Sequence, residues 1–295
     1  RLSESDAAAL SSAINPGRWQ VGDIPLLDEL AHLLGPAPAT DDAEPLFLPD
    51  GMAEVVTLTE RLTDTRAPES GVPHETYAHI LVDEAQDITP MQWRMLQRRG
   101  AGASWTIVGD PAQSSWPDPA ESGRAVTHMV GSRPHREFRL STNYRSPKEA
   151  YDLATAYIRS VDPLTDIPEA VRSTGVRPRV VVASPADVGA VVADEVTRLL
   201  AELDGTVGVL AGDPAAVATA LPADPRVVLL DPVSAKGLEF DGVVVVDPDG
   251  IVGAEASGAR TLYVGLTRPT QALVVVDVGH AGQWRTGLEG RYWTV

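Results

Sequence analysis

The 295-residue chain contains no cysteine, and this absence excludes disulfide bonds and thiolate metal sites. It has no apolar run close to the roughly 18 residues needed to cross a bilayer, so we expect no membrane association. Its first residues lack a basic segment followed by an apolar core, which is the pattern of a secretory signal. Cysteine-free chains of this kind fit the cytoplasm, and the cytoplasm is the location that we predict.

Basic residues are also scarce. The chain has 24 Lys and Arg against 41 Asp and Glu, a formal net charge of −17. Nucleic-acid affinity rests largely on Lys and Arg that neutralise phosphates, so nucleic acid is expected to be a weak partner. The net charge does not exclude a narrow row of basic residues that contacts phosphates. The charge also fits docking on a basic protein surface, and it fits plain solubility.

The chain does contain a short apolar run that stops at two carboxylates. Residues 80–82 read ILV, and Asp83 and Glu84 follow directly. This order is typical of a buried strand whose carboxyl end opens into a crevice, where open α/β sheets bind their ligands. An adjacent Asp and Glu suit Mg²⁺–phosphate chemistry, with one carboxylate near the metal and the other near an attacking water. The alternative is a plain acidic turn after a strand, in which Asp83 and Glu84 have no catalytic or metal-binding role.

Helix and strand signals alternate through the rest of the chain. Residues 89–92 read TPMQ and predict a capping box at the start of a helix. Residues 138–140 predict a short strand, and 146–149 predict a second capping box. Valine runs such as 243–246 indicate strands covered on both faces. The predicted fold class is therefore α/β, with parallel sheets flanked by helices, in two units that meet near residue 136.

Five short motifs follow one another in a fixed order. They read DEAQD at 83–87, GDPAQ at 109–113, NYRS at 143–146, KGLEFD at 236–241 and LYVGLTR at 262–268. Together they resemble motifs II to VI of superfamily 1 helicases of the UvrD/Rep type, over about residues 78–278. The resemblance implies a RecA-like P-loop NTPase fold, with the later part of a first RecA-like domain in 1–136 and a complete second one in 137–295.

The resemblance also implies an ATPase with ATP and Mg²⁺ as cofactors, and a role for each motif residue. Asp83 would hold Mg²⁺ through water, and Glu84 would be the general base. Gln113 would sense the γ-phosphate, while Arg145 and Arg268 would act as arginine fingers from the second domain. Taken alone, either arginine could form a helix-end salt bridge, and Gln113 could be a turn residue. The remaining positions of the implied nucleotide site are Asp110, Lys236, Gly237 and Glu239, the last of them at the ribose.

One element of that family is missing. The phosphate loop, GxxxxGK followed by Ser or Thr, occurs nowhere in the 295 residues. We therefore expect the chain to be the C-terminal part of a longer polypeptide, and the isolated chain to hydrolyse almost no ATP.

Residues 83–96, DEAQDITPMQWRML, resemble the HelD branch of the family, in its actinobacterial form. After the second motif the chain reads SSWPDP, which replaces a basic step usual in helicases; Trp116 could stack on a base or pack in a core. The HelD resemblance implies a monomeric ATPase that binds RNA polymerase and remodels it or releases it from nucleic acid. A UvrD-type DNA helicase in repair and a non-catalytic interaction module of the same fold are the alternatives.

Overall fold

The computed structural model describes Ser5 and residues 19–35, 77–116, 119–279, 282–288 and 290–294. Its contacts divide the chain into two compact units that interleave in sequence. Unit 1 comprises Arg1–Asp83, Ile88–Val108 and Arg124–Gly131; unit 2 comprises Glu84–Asp87, Gly109–Gly123 and Ser132–Val295. The assignment of two RecA-like domains that meet near residue 136 stays a prediction.

Unit 1 contains a pair of parallel strands and two helices that are joined by ion pairs. Strand β1 (His79–Val82) pairs with β2 (Ser104–Ile107). Helix α1 (Ile24–Leu34) contacts helix α2 (Pro90–Arg99), where Arg98 donates to the carboxylates of Asp28 and Glu29. Helix α3 (Pro119–Val130) follows β2 in the chain.

Helix α2 begins with the predicted capping box. The Thr89 hydroxyl accepts from the backbone N–H of Gln92 at 3.2 Å, and the Gln92 side chain accepts from the Thr89 N–H at 2.7 Å. Two N–H groups that the first helical turn cannot satisfy are thus paired. Trp93, on the same helix, is buried.

Unit 2 is built around a five-stranded sheet in the order β5-β9-β8-β6-β7. The strands are β5 (Arg179–Ala183), β6 (Val207–Ala211), β7 (Val227–Leu230), β8 (Phe240–Val246) and β9 (Pro269–Val278). The helices are α4 (Lys148–Val161), α5 (Val188–Glu202), α6 (Ala215–Ala218), α7 (Pro248–Ala254) and α8 (Gly258–Leu266). A second, two-stranded sheet joins β3 (Thr142–Pro147) to β4 (Glu169–Arg172).

Both faces of the large sheet are covered, as the valine runs predict. Val243 and Val245 of β8 belong to one apolar cluster with side chains of α4 and α8, whereas Val244 and Val246 belong to a second cluster with side chains of α5. Alternate residues of a strand point to opposite faces, so an unbroken valine run serves both cores. All the pairings between the described strands are parallel, and the α/β prediction is confirmed.

Two local predictions are wrong. Residues 138–140 form no strand, and Phe138 and Leu140 are exposed; the strand lies further on, at Thr142–Pro147, where it has β4 as a neighbour. The second capping box is also absent, because helix α4 begins after Pro147 without a side-chain cap. The Glu149 carboxylate accepts instead from Ser173 and from the loop that follows it.

Within the described part of the chain, no helix has the length and apolar character to cross a membrane.

Candidate functional site

All the residues that the motifs nominate, except Asp83, lie in unit 2. Asp83 is exposed and directly follows β1 in unit 1. The others occupy the turns after β1 and β2, strand β3, and the segments that precede β8 and β9. Their side chains form two groups within unit 2, one around Arg268 and one around Lys236.

Arg268 is a buried cation whose hydrogen-bond acceptors are neutral. Its side chain is almost fully enclosed, with the residue 2% exposed. Nε donates to the Val264 carbonyl, and Nη1 donates to the Leu238 carbonyl. Nη2 donates to Oε1 of Gln113 at 2.9 Å and to the Thr267 hydroxyl. Burial, and then the charge of Arg145, lower the pKa of Arg268 to about 10, while Glu84 acts in the opposite direction.

The pairing of two parallel strands places Arg268 where it is. Pro269 opens β9 and lies opposite Phe240, which opens β8. The residues just before each strand therefore meet, and this brings Arg268 to the Leu238 carbonyl and the Phe240 N–H to the Arg268 carbonyl. On these two strands the candidate site lies at the amino ends, whereas Asp83 and Glu84 follow the carboxyl end of β1, as the first motif predicted.

A continuous chain of hydrogen bonds connects Arg268 to Glu84. Gln113 accepts from Arg268 and donates through Nε2 to Oδ2 of Asp110 at 2.8 Å. The Asp110 N–H donates to Oε1 of Gln86 at 2.9 Å, and Nε2 of Gln86 donates to Oε2 of Glu84 at 2.5 Å. Each amide side chain uses both its oxygen and its nitrogen, so both are held in one orientation.

Glu84 has an unusual backbone. Its φ is 50°, in the left-handed region that non-glycine residues rarely adopt and that costs about 1 kcal/mol or more. The short 3₁₀ turn Ala85–Asp87 follows immediately, and the Asp87 N–H donates to the Glu84 carbonyl at 3.0 Å. This turn places Gln86 beside the Glu84 carboxylate.

Arg145 lies at the exposed edge of the site. Its Nε is 3.6 Å from Oε2 of Glu239, and both side chains are about half exposed. The Asn143 side chain accepts from the N–H groups of Arg145 and Ser146, which shapes the backbone there. The charge of Arg145 contributes to the lowered pKa of Arg268.

Lys236 belongs to a second contact, with Asp87. Nζ lies 2.5 Å from Oδ2 of Asp87, and the two side chains are 14% and 24% exposed. The other oxygen of Asp87 accepts from the N–H and the hydroxyl of Ser115. Gly237 follows with φ +71°, and a Cβ there would stand 3.9 Å from Oε1 of Glu84. The Lys236 segment is therefore close to the Glu84 carboxylate.

Three residues of this network escaped the motif assignments. Gln86 and Asp87 lie inside the first motif, but only their contacts reveal what they do. Arg260 of α8 donates to the carbonyls of Ser114 and Trp116, and no local pattern marks it. Trp116 is partly buried, and its indole N–H donates to Glu121 at 2.8 Å.

The acidic residues after β1 suit a Mg²⁺ ion that has few protein ligands. Asp83 and Glu84 offer carboxylate oxygens, the ligand type that Mg²⁺ prefers. Among the described residues no group of three or more His, Asp or Glu side chains could hold a metal ion. A Mg²⁺ that used Asp83 would thus take most of its ligands from water and phosphate, as this ion commonly does.

Comparison with known proteins points to helicases. A model of the UvrD/REP helicase N-terminal domain matches residues 53–116, and a model of the UvrD-like helicase C-terminal domain matches residues 227–276. The RecBCD enzyme subunit RecB of Mycolicibacterium smegmatis is 29% identical over 108 residues. That match covers 35% of this chain and only 10% of RecB.

Among solved structures, the C-terminal domain of a possible DNA helicase from Lactobacillus plantarum WCFS1 is similar in part. It has a TM-score of 0.41 and 23% identity, and the match covers 52% of this chain and 98% of that one.

The two helicase-domain matches support the UvrD/Rep superfamily and an ATP-dependent, helicase-like function. They do not separate the branches of that superfamily. Domains of this kind generally use ATP and Mg²⁺.

Proposed function

We propose that this chain is the motor part of a UvrD/Rep-type ATPase in which Glu84, Gln113, Arg145 and Arg268, all of unit 2, form the hydrolytic site. The observation that carries the proposal is the hydrogen-bonded chain from Glu84 through Gln86, Asp110 and Gln113 to Arg268. It joins a carboxylate suited to general-base work to a buried guanidinium. Phosphoryl transfer to water needs these two kinds of group, together with charge compensation.

In this proposal each group has a distinct part. Bound ATP with Mg²⁺ supplies the phosphoryl group that is transferred to water. Glu84 orients the attacking water and accepts its proton. Arg268 and Arg145 donate hydrogen bonds to the oxygens on which negative charge develops.

Gln113 is the coupling residue in this scheme. It accepts from Arg268 and donates to Asp110, so a change in what Arg268 binds alters the contacts of the turn that carries Gln113. The next residues, Ser114 and Trp116, are held by Arg260 of α8. Through these contacts the state of the nucleotide reaches the segment at residue 116.

For the partner, we propose RNA polymerase, as the HelD-like sequence at residues 83–96 implies, with ATP used to remodel it or to release it from nucleic acid. The net charge of −17 supports docking on a basic protein surface rather than on phosphates. The rival proposal is a DNA helicase, and the similarity to RecB favours it. Co-purification with RNA polymerase at moderate salt supports the first; strong stimulation of ATPase activity by single-stranded DNA without polymerase binding supports the second.

The central test is Glu84→Gln in the longer polypeptide that we expect to contain this chain and a phosphate loop. If Glu84 is the base, kcat falls by about 10²-fold or more while ATP still binds. Glu137→Gln is the matched control, because Glu137 is exposed and lies outside the proposed site. Unchanged turnover in Glu84→Gln refutes the assigned role.

A further inference from the structure

A cavity of about 500 Å³ in unit 2 lies outside the proposed hydrolytic site. Its lining includes Arg159, Arg177, Arg291 and Tyr292, together with Glu149 and Asp152 from the first turns of α4. A cavity of this size is within the range of roughly 300–1,000 Å³ that is usual for small-molecule sites. Three guanidinium groups at one cavity contrast with the net charge of −17 of the chain.

Within the described part of the chain, two of these arginines have no ion pair, whereas six other arginines of unit 2 form one. Among the residues that the structure describes, neither Arg159 nor Arg177 has a carboxylate within the 4.0 Å of an ion pair. Ion pairs are formed instead by Arg139, Arg145, Arg179, Arg198, Arg226 and Arg285. The position of Arg159 in the last turn of α4 partly explains its charge, because cations are favourable at a helix C-terminus. Arg177 is on no helix, and both Arg159 and Arg177 are exposed.

The two carboxylates of the lining already have partners. Asp152 accepts from Lys148 at 3.1 Å. The oxygens of Glu149 accept from Ser173 and from the N–H groups of Thr174 and Gly175. Asp152 is thus paired with a lysine, whereas the donors to Glu149 are neutral, and one carboxylate charge stays in the lining beside the guanidinium groups.

The remaining wall adds an aromatic ring and a hydroxyl. The guanidinium carbon of Arg291 lies 5.1 Å from the ring centroid of Tyr292, and Arg291 donates to the Tyr292 hydroxyl. This contact holds the Arg291 side chain along the ring. Guanidinium groups match phosphate oxygens in a bidentate geometry, and several of them together favour a multiply charged phosphate over a single carboxylate.

We propose that this cavity binds a phosphate-bearing ligand of about nucleotide size, through Arg159, Arg177 and Arg291. The phosphates come either from a free nucleotide or from the end of a nucleic-acid strand. The site does not involve the residues assigned to ATP hydrolysis, so this proposal does not depend on that assignment.

The test is calorimetric titration of the 295-residue chain with inorganic pyrophosphate. Binding is expected to be saturable and to weaken with salt. The double variant Arg159→Ala/Arg177→Ala is expected to weaken it by about tenfold or more, and the Lys versions of both changes to weaken it less. Arg136→Ala, which removes an exposed arginine outside the cavity, is expected to change it by less than about twofold. Circular dichroism shows whether each variant is folded.

Three outcomes overturn the proposal: no saturable binding, an equal loss in Arg136→Ala, or a loss in Arg145→Ala that the double variant does not share. The last would assign the binding to the hydrolytic site. Titration with ADP and with a short 5′-phosphorylated oligonucleotide then separates the two sources, because the ligand that loses most affinity in the double variant is the one the cavity accepts.

Discussion

Arg268 donates a hydrogen bond to Gln113 at 2.9 Å, although 155 positions separate the two residues in the chain. Gln113 in turn donates to Asp110 at 2.8 Å. Only the amide oxygen can accept from a guanidinium, and only the amide nitrogen can donate to a carboxylate, so the two neighbours determine the orientation of Gln113. A glutamine that could have been a simple turn residue is therefore part of the environment of a buried charge.

Replacing Gln113 with alanine is expected to destabilise the chain. The change removes one acceptor from the buried guanidinium of Arg268, and loss of a hydrogen bond to a charged group costs about 1.5–3 kcal/mol. Urea unfolding followed by circular dichroism measures the difference. Gln271→Ala is the control, because Gln271 donates to Asp241 in an exposed hydrogen bond; its loss should cost about 0.5 kcal/mol or less. Equal effects of the two changes would contradict this account of Gln113.

The ion pair between Asp87 and Lys236 is expected to show strong coupling. Both side chains are mostly buried, so solvent screens the pair little, and removal of one partner leaves a buried charge. A double-mutant cycle with Asp87→Asn and Lys236→Met should give a coupling energy of about 1–3 kcal/mol.

The pair Lys148–Asp152 provides the comparison for that cycle. It is an i,i+4 pair on α4 whose side chains are 46% and 41% exposed. Its coupling energy should be about 0.3–0.5 kcal/mol. If the Asp87–Lys236 coupling is no larger, the segment at residues 84–87 is not held by this contact.

Gly109→Ala is expected to disturb the contact between Gln86 and Asp110. A Cβ at residue 109 would stand 2.9 Å from Oε1 of Gln86 and 3.2 Å from its backbone nitrogen. Gln86 would have to move, which weakens its hydrogen bonds, and the cost of such overpacking is typically about 1–3 kcal/mol. A thermal or urea unfolding curve measures it.

Gly253→Ala is the matched glycine control for that change. Gly253 is in helix α7, and a Cβ there meets nothing within 4 Å. Alanine is the better helix former by about 0.8–1 kcal/mol, so this variant should be as stable as the original chain or more stable. A loss of stability at residue 253 equal to that at residue 109 would show that the contact with Gln86 is not the cause.

Glu149 should give the chain a pH-dependent stability. Burial raises the pKa of this carboxyl, but hydrogen bonds from Ser173 and from backbone N–H groups, Gly175 and Thr174 among them, outweigh burial and lower the pKa from 4.5 to about 2. Because the folded-state pKa lies below the ordinary value, the stabilisation is present above pH ~4.5 and is lost as the pH falls towards ~2.

The variant Glu149→Gln tests this dependence. At pH 7 it should be less stable than the original chain by an amount on the order of 1 kcal/mol, since solvent screens a group this exposed. The difference should shrink towards zero near pH 2. Urea midpoints measured across this range check the expectation, with the exposed Glu137→Gln as control; a constant difference at all pH values would contradict it.

Several features could be predicted from the sequence because their causes are local. The capping box at residues 89–92 needs only a Thr, a Pro and a Gln at fixed spacing, and the structure contains it. The valine run of β8 predicted a strand with two covered faces, and two apolar clusters share its residues. Similar logic failed at residues 138–140, because an apolar alternation does not form a strand without a neighbouring strand to pair with.

The sequence by itself determined the α/β class and the short motifs that carry the acids and the arginines, since both depend on residue types at short spacing. Only the tertiary structure decided how those motifs meet. The pairing of β8 with β9 brings Arg268 to Leu238, and long-range hydrogen bonds bring Arg260 to Ser114 and Lys236 to Asp87. Such contacts join residues far apart in the chain, and strand register and side-chain orientation, which no local pattern encodes, determine them.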